Sequence, residues 1–93
     1  MDLERIRLKD GKSYIDPKDS WNIYGAEQIG ERLRLHLKDA KERTCGYTLV
    51  PEDVVWNLCG KIYRLRNNQE VFDFYSAVQS MLASRAIDEA LNG

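Results

Sequence analysis

The sequence predicts a mainly α fold, a three-helix domain with a short N-terminal β-hairpin, and three observations support this prediction. Apolar residues recur at steps of three and four along three segments of the chain, as on the buried stripe of a helix. Proline and acidic residues stand where such helices would begin, and Gly or Asn stand where they would end. Near the N-terminus, Asp10-Gly11 is a dipeptide typical of tight hairpin turns.

Length and composition predict one soluble domain. The chain has 93 residues, of which 43% are hydrophobic and 31% charged, and we expect residues 1–93 to form a single small domain. Fourteen Lys and Arg against fifteen Asp and Glu leave a net charge of −1, which argues against a dedicated nucleic-acid coat protein. Because the sequence has two cysteines and no secretory signal pattern, we expect a cytoplasmic protein with reduced thiols.

Residues 3–8 and 13–16 are the two predicted strands of the hairpin. Both are short and alternate apolar and polar side chains only in part, with the Asp10-Gly11 turn between them. Two strands alone are marginally stable in water, so we expect the hairpin to pack on the helices or to pair with another chain.

The first predicted helix spans residues 25–44 and contains a competing strand pattern. Its apolar residues form one stripe at helical spacing: Ala26, Ile29, Leu33, Leu37 and Ala40. Within it, residues 32–37 alternate polar and leucine side chains, as a half-buried strand would, and Leu35 lies off the helical stripe. We favour the helix because its stripe is longer than the alternation. The alternative is an α+β fold with residues 32–37 as a strand.

Two further helices are predicted over residues 51–66 and 69–91. The helix at 51–66 opens on a proline and two acids and has two apolar faces, one of which contains Trp56 and Tyr63. Gly60 in its middle costs about 1 kcal/mol relative to Ala, which indicates a close approach to the backbone there. The helix at 69–91 has a wide apolar face.

The sequence argues against an enzyme and against a cofactor or metal centre. Nothing local marks His36, Cys45 and Asp53 as a Cys–His–acid set for nucleophilic catalysis. His36, Cys45 and Cys59 fall one ligand short of a typical zinc site and lack its spacing. The sequence also lacks glycine-rich phosphate loops and the motifs of serine hydrolases and zinc proteases.

A surplus of apolar and aromatic side chains predicts a small non-enzymatic protein–protein interaction module, such as an adaptor, an inhibitor or an assembly subunit. Three helices cannot bury all of this surface, and exposed aromatic patches mark interfaces. The predicted partner-binding residues are four aromatic anchors and two charges at their rim: Trp21, Trp56, Tyr63, Phe72, Arg34 and Lys38. The expected partner is another protein or a second copy of this chain, and not a membrane.

The alternative function is a nucleic-acid-binding accessory protein that acts through a basic patch on the first two helices. Basic residues are concentrated in the middle of the chain, whereas the last predicted helix is acidic. The predicted contacts are six basic residues: Arg34, Lys38, Lys41, Lys61, Arg64 and Arg66. We do not expect sequence-specific DNA reading, because the helices after each connection carry acids or apolar residues where a recognition helix needs polar and basic ones.

Overall fold

The computed structural model describes residues 2–92, which form a six-stranded antiparallel sheet and one C-terminal helix. The elements are β1 (Leu3–Lys9), β2 (Lys12–Ile29), β3 (Arg32–Lys38), β4 (Thr44–Leu49), β5 (Glu52–Leu58), β6 (Lys61–Leu65) and α1 (Asn68–Asn92). The strand order is β4-β3-β2-β1-β5-β6. Most neighbours are therefore hairpins of consecutive strands, and the pairing of β1 with β5 joins the two parts of the sheet.

The three-helix prediction is wrong. Of the predicted helices, only the one at residues 69–91 lies in a helix, α1. Residues 25–44 instead contribute to β2, β3 and the start of β4, and residues 51–66 contribute to β5 and β6. The alternating run at residues 32–37 lies within β3. Residues 2–92 are mostly antiparallel β-sheet with one helix.

Steps of four residues account for the misleading pattern. Residues four apart share a face both on a helix of period 3.6 and on a strand of period 2. Leu33 and Leu37 point inward from β3, and Val54 and Leu58 are buried on β5, so both pairs fit either structure. Residues three apart share a face on a helix but not on a strand, so this spacing distinguishes the two structures. Ile29, three residues after Ala26 on the predicted helical stripe, is 54% exposed at the end of β2, so the stripe does not form.

Two glycines in the middle of predicted helices form hairpin turns instead. Gly30, with φ of 61°, lies in the two-residue turn between β2 and β3. Gly60, with φ of 94°, follows Cys59, with φ of 51°, in the two-residue turn between β5 and β6. Positive φ is the conformation in which glycine has the advantage, and a helix never requires it. The Asp10-Gly11 turn joins β1 to β2 at the place the dipeptide predicts.

The sheet is curved, so that strands far apart in its order lie close together. β2 is long enough to pair with β1 through its first part, up to Trp21, and with β3 from Asn22 onward. β4 and β5 are separated by three strands in the sheet order, yet only two residues join them in the chain. In keeping with this curvature, Tyr47 on β4 donates a hydrogen bond to Glu52 on β5.

The concave side of the sheet and one face of α1 enclose the core. Its most completely buried side chains come from both layers: Leu3, Leu35, Leu65, Phe74 and Val78. The helix packs against β6 and β2, with the ring centroid of Phe74 5.4 Å from that of Tyr63. Asn67 caps the helix by accepting a hydrogen bond of 2.9 Å from the Glu70 amide. Within residues 2–92, no helix has both the length and the apolar character needed to cross a membrane.

An ion pair fastens the second half of α1 to the start of the sheet. Arg85 donates hydrogen bonds to both carboxylate oxygens of Asp2, and Asp2 Oδ2 also accepts one of 3.0 Å from the Ile23 amide. Burial opposes ionisation of Asp2, but these hydrogen bonds and the charge of Arg85 outweigh it and lower the pKa of the carboxyl group. Residues 86–91 beyond this pair are exposed, so it marks the end of the packed part of the helix.

Candidate binding face on the convex side of the sheet

Strand β3 places four basic or imidazole side chains in one row on the convex side of the sheet. Successive side chains of a strand point to opposite faces, and the three leucines of β3 point toward the core. The intervening side chains point outward and are here called the basic row: Arg32, Arg34, His36 and Lys38. Alternate residues of a strand are about 6.6–6.8 Å apart, so the row extends over about 20 Å.

Acidic side chains engage one end of the basic row and leave the other free. His36 Nε2 lies 2.8 Å from Glu27 Oε1 on the neighbouring β2. Lys38 Nζ lies 3.8 Å from Glu42 Oε2 in the turn after β3. Among residues 2–92, Arg32 and Arg34 form no salt bridge and no side-chain hydrogen bond. Two guanidinium groups are therefore available to an outside anion.

The side chain of Arg34 lies across Gly46 on β4. Gly46 is paired with His36, so Arg34 reaches it diagonally from the next outward position of β3. A β-carbon on Gly46 would lie 2.6 Å from Arg34 Nε and 2.8 Å from Arg34 Cζ, closer than side chains pack. The absence of a side chain at Gly46 thus gives the guanidinium group its place over the edge strand.

An aromatic ring borders the other side of the row. Tyr24 lies where the register of β2 shifts against β3, and its side chain is half exposed. Its ring centroid lies 5.8 Å from that of His36 at an interplanar angle of 41°, and Lys38 Nζ lies 5.1 Å from it. A flat, partly exposed surface therefore adjoins the Lys38 end of the row.

The predicted aromatic anchors are mostly in the core. Trp56 is only 3% exposed, on β5, and Trp21 packs edge-on against it with ring centroids 5.7 Å apart. Tyr63 is partly buried on β6 against Phe74. Of the four, Phe72 is the exposed one, at 58%. The aromatic helix face that the sequence predicts does not form, because Trp21, Trp56 and Tyr63 lie in strands.

The six residues predicted to bind nucleic acid do not share one strand or one edge. Arg34 and Lys38 belong to the basic row, and Lys41 lies in the turn that follows β3. The other three are at the opposite end of the strand order: Lys61 and Arg64 on β6, and Arg66 just after it. Arg66 also donates two hydrogen bonds to Glu70, of 3.0 and 3.1 Å.

The structure separates the residues that could have formed a catalytic or zinc site. Cys45 is paired with Leu37 and points to the side of the sheet opposite His36. Cys59 lies in the β5–β6 turn, with Sγ 3.4 Å from Met81 Sδ, and both cysteines are free thiols. Across residues 2–92, no group of three His, Cys, Asp or Glu side chains is placed to hold a metal ion.

The basic row could have been found from the sequence only through the strand interpretation of residues 32–37. On a helix, successive residues lie about 100° apart, so the basic side chains of this run appear to spread around a cylinder. On a strand they collect on one face, and Arg32 and His36 join Arg34 and Lys38 there. Tyr24 carries no such signal, because its position depends on the register shift in β2.

Residues 2–92 thus combine a small curled antiparallel sheet, a C-terminal helix that packs on its concave side, and a basic row on its convex side. Comparisons of the chain with protein-family profiles, with curated proteins and with solved structures find no significant match. The geometry of the basic row is therefore the basis on which a function can be inferred.

Proposed function

We propose that this protein is a small non-enzymatic interaction module that binds an acidic partner protein through the basic row. The observation that supports this most directly is the pair Arg32 and Arg34, which lie on an open strand face and form no salt bridge among residues 2–92. Glu27, opposite Arg34 in register on β2, contacts His36 instead. Guanidinium groups bind carboxylates through paired, charge-assisted hydrogen bonds. An acidic segment of a partner would supply the missing carboxylates.

The position of the aromatic residues favours charge over apolar contact as the basis of binding. Trp56 is buried and Trp21 packs against it, so neither offers a fully exposed ring to a partner. A charged interface of this kind steers association and sets specificity, and its affinity falls with salt. The free thiols Cys45 and Cys59 are consistent with a reducing compartment, and a cytoplasmic location is part of this proposal.

The acidic residues around the basic row favour a protein over a nucleic acid. Glu27 and Glu42 lie beside the row, and the chain as a whole carries a net charge of −1. A continuous phosphate backbone that followed the row would meet these carboxylates, whereas a protein can place its own carboxylates opposite Arg32 and Arg34 alone.

One observation favours single-stranded nucleic acid as a second candidate. Tyr24 offers a half-exposed ring next to His36 and Lys38, and proteins that bind single strands combine basic grooves with rings on which bases stack. This candidate requires Tyr24 for affinity, whereas the acidic-protein candidate does not.

The experiment measures fluorescence anisotropy with two probes, a labelled glutamate–valine peptide and a labelled oligothymidylate, at about 50 mM and 200 mM salt. The double variant Arg32→Ala/Arg34→Ala should weaken peptide binding by about tenfold or more, because both unpaired guanidinium groups are lost. The matched control Lys61→Ala/Arg64→Ala removes the same charge from β6 and should leave the affinity unchanged within about twofold.

Three results would contradict the proposal. They are the absence of peptide binding at low salt, an equal loss of affinity in the two double variants, and tighter binding of the oligothymidylate that Tyr24→Ala abolishes. The last result would establish the second candidate instead. Circular dichroism of each variant shows whether its sheet is intact.

A further inference from the structure

The first half of β4 is an open edge of the sheet. β4 is the last strand in the order β4-β3-β2-β1-β5-β6 and pairs only with β3 among the described residues. Its residues Thr44, Cys45 and Gly46 are all exposed. Its sequence, TCGYTL, contains neither a charged residue nor a proline, the features with which natural proteins protect an edge.

The hydrogen-bond pattern of the β3–β4 hairpin determines which backbone groups of β4 are free. The Asp39 amide donates a 3.0 Å hydrogen bond to the Arg43 carbonyl where the hairpin closes. Directly opposed pairs in an antiparallel ladder alternate between hydrogen-bonded and non-hydrogen-bonded. Counted from this pair, Cys45 and Tyr47 bond to β3, whereas Thr44, Gly46 and Thr48 direct their amide and carbonyl groups away from it.

Arg34 stands over this free edge. Its guanidinium group lies across Gly46, on the convex side where the outward side chains of any added strand would lie. An added residue opposite Gly46 with an acidic side chain would therefore have its carboxylate next to Arg34. The free backbone groups of β4 and the guanidinium group of Arg34 are thus both within reach of one strand added beside β4.

The geometry points to strand addition: β4 binds an extended acidic segment of a partner protein through its backbone, with Arg34 pairing a carboxylate of that segment. Strand addition takes its affinity from backbone hydrogen bonds and its specificity from alternate side chains. This inference rests on the proposed function, because it names the partner segment and the way in which it binds.

Charge complementarity selects an acidic segment over a second copy of this chain. If two β4 edges paired with each other, two β4 strands would lie between the basic rows of the two copies, with the Arg34 guanidinium group of each copy across its own β4. The two guanidinium groups would then lie over adjacent strands, where like charges are destabilising. If the added strand is acidic, its carboxylates form ion pairs with Arg34 instead.

The experiment uses the full 93-residue chain and an unlabelled peptide of alternating Glu and Val. Two N-methylated forms of the peptide are compared, one methylated on the Glu amides and the other on the Val amides. Alternate amides of an added strand point toward β4 and away from it. We therefore expect one methylated form to lose binding and the other to keep it.

Amide hydrogen exchange locates the contact. Thr44, Gly46 and Thr48 amides should exchange quickly in the free protein and slow by about tenfold or more with saturating peptide, whereas Cys45 should change little. Arg34→Ala and Gly46→Ala should both weaken peptide binding, the second because its β-carbon displaces the guanidinium group. Arg64→Ala, on the other edge strand β6, is the matched control for the loss of one guanidinium group and should leave affinity unchanged.

The results separate this inference from the proposed function. If the unmodified peptide binds with salt-dependent affinity but both methylated forms bind equally well and no β4 amide slows, strand addition is overturned and the proposed function stands. If the unmodified peptide does not bind at all, the proposed function fails as well. A peptide-free dimer protected at the same amides would overturn the choice of partner.

Discussion

The two edges of the sheet differ in how they are covered. At one edge, α1 packs against β6, Phe74 lies against Tyr63, and Arg66 just beyond the strand is bonded to Glu70 on the helix. β6 also carries Lys61 and Arg64, charges that discourage pairing with another chain. At the other edge, β4 has no charge and its first half is exposed. The helix thus stabilises β6 by packing against its inner side, whereas the edge strand next to the basic row has no charged side chain.

Phe74→Ala, where α1 packs against β6, should lower the free energy of unfolding by about 3–5 kcal/mol, the greatest change among these predictions. Phe74 is fully buried, and its truncation leaves a cavity between α1 and β6. Urea denaturation measures the loss. Phe72→Ala, two residues away on the same helix but 58% exposed, should change stability by less than about 0.5 kcal/mol. Similar losses in the two variants would show that Phe74 does not hold the helix against β6.

The second prediction distinguishes residues of β4 whose amides bond to β3 from residues whose amides point away from it. Cys45→Pro removes an amide that bonds to β3 and should cost about 2–3 kcal/mol. Thr44→Pro removes an amide that points away from β3 and should cost less than about 1 kcal/mol, while it weakens peptide binding. Thermal unfolding and anisotropy test the pair. If both prolines destabilise the protein equally, the pattern of free backbone groups on β4 is wrong.

The smallest effect concerns the ion pair that holds the helix, and it depends on pH. The pKa of Asp2 is lowered in the folded protein, so its contribution to stability is present above the unfolded-state value of about 4 and is lost as pH falls through the lower folded value. Arg85→Ala should therefore reduce stability by about 1 kcal/mol at neutral pH and by less near pH 2. Urea unfolding at both pH values measures this, and a loss independent of pH would contradict it.

Part of this fold could be predicted from the sequence, and the parts that could not have a physical reason. The Asp10-Gly11 turn and the helix that follows Asn67 have local signals, a turn dipeptide and a cap, and both appear where predicted. The strands β3 and β5 have leucine and valine at steps of four, a spacing that helix and strand share. The positive φ at Gly60 marks a hairpin turn and not a helix, but the sequence shows only a glycine at that position.

Part of the candidate site could also be predicted from the sequence. Arg34 and Lys38 belong to both predicted binding sets and lie in the basic row. Arg32 and His36 were missed because only a strand brings them to the same face. The sequence does not show whether Trp56 and Trp21 lie at an interface or in a core, because their apolar rings suit both; the structure buries Trp56 and packs Trp21 against it.

The pairing of β1 with β5 has a consequence for how fast this chain folds. The hairpins β1–β2, β2–β3, β3–β4 and β5–β6 each join neighbouring segments through short turns and can form early. The β1–β5 ladder, from Leu3 with Leu58 to Ile6 with Val55, brings together residues far apart in the chain. The chain between β1 and β5 has to close into a loop before this ladder contributes any stability. We therefore expect the pairing of β1 with β5 to determine the height of the folding barrier. When the loop closes, the meander of β1 to β4 and the β5–β6 hairpin become a single cooperative unit.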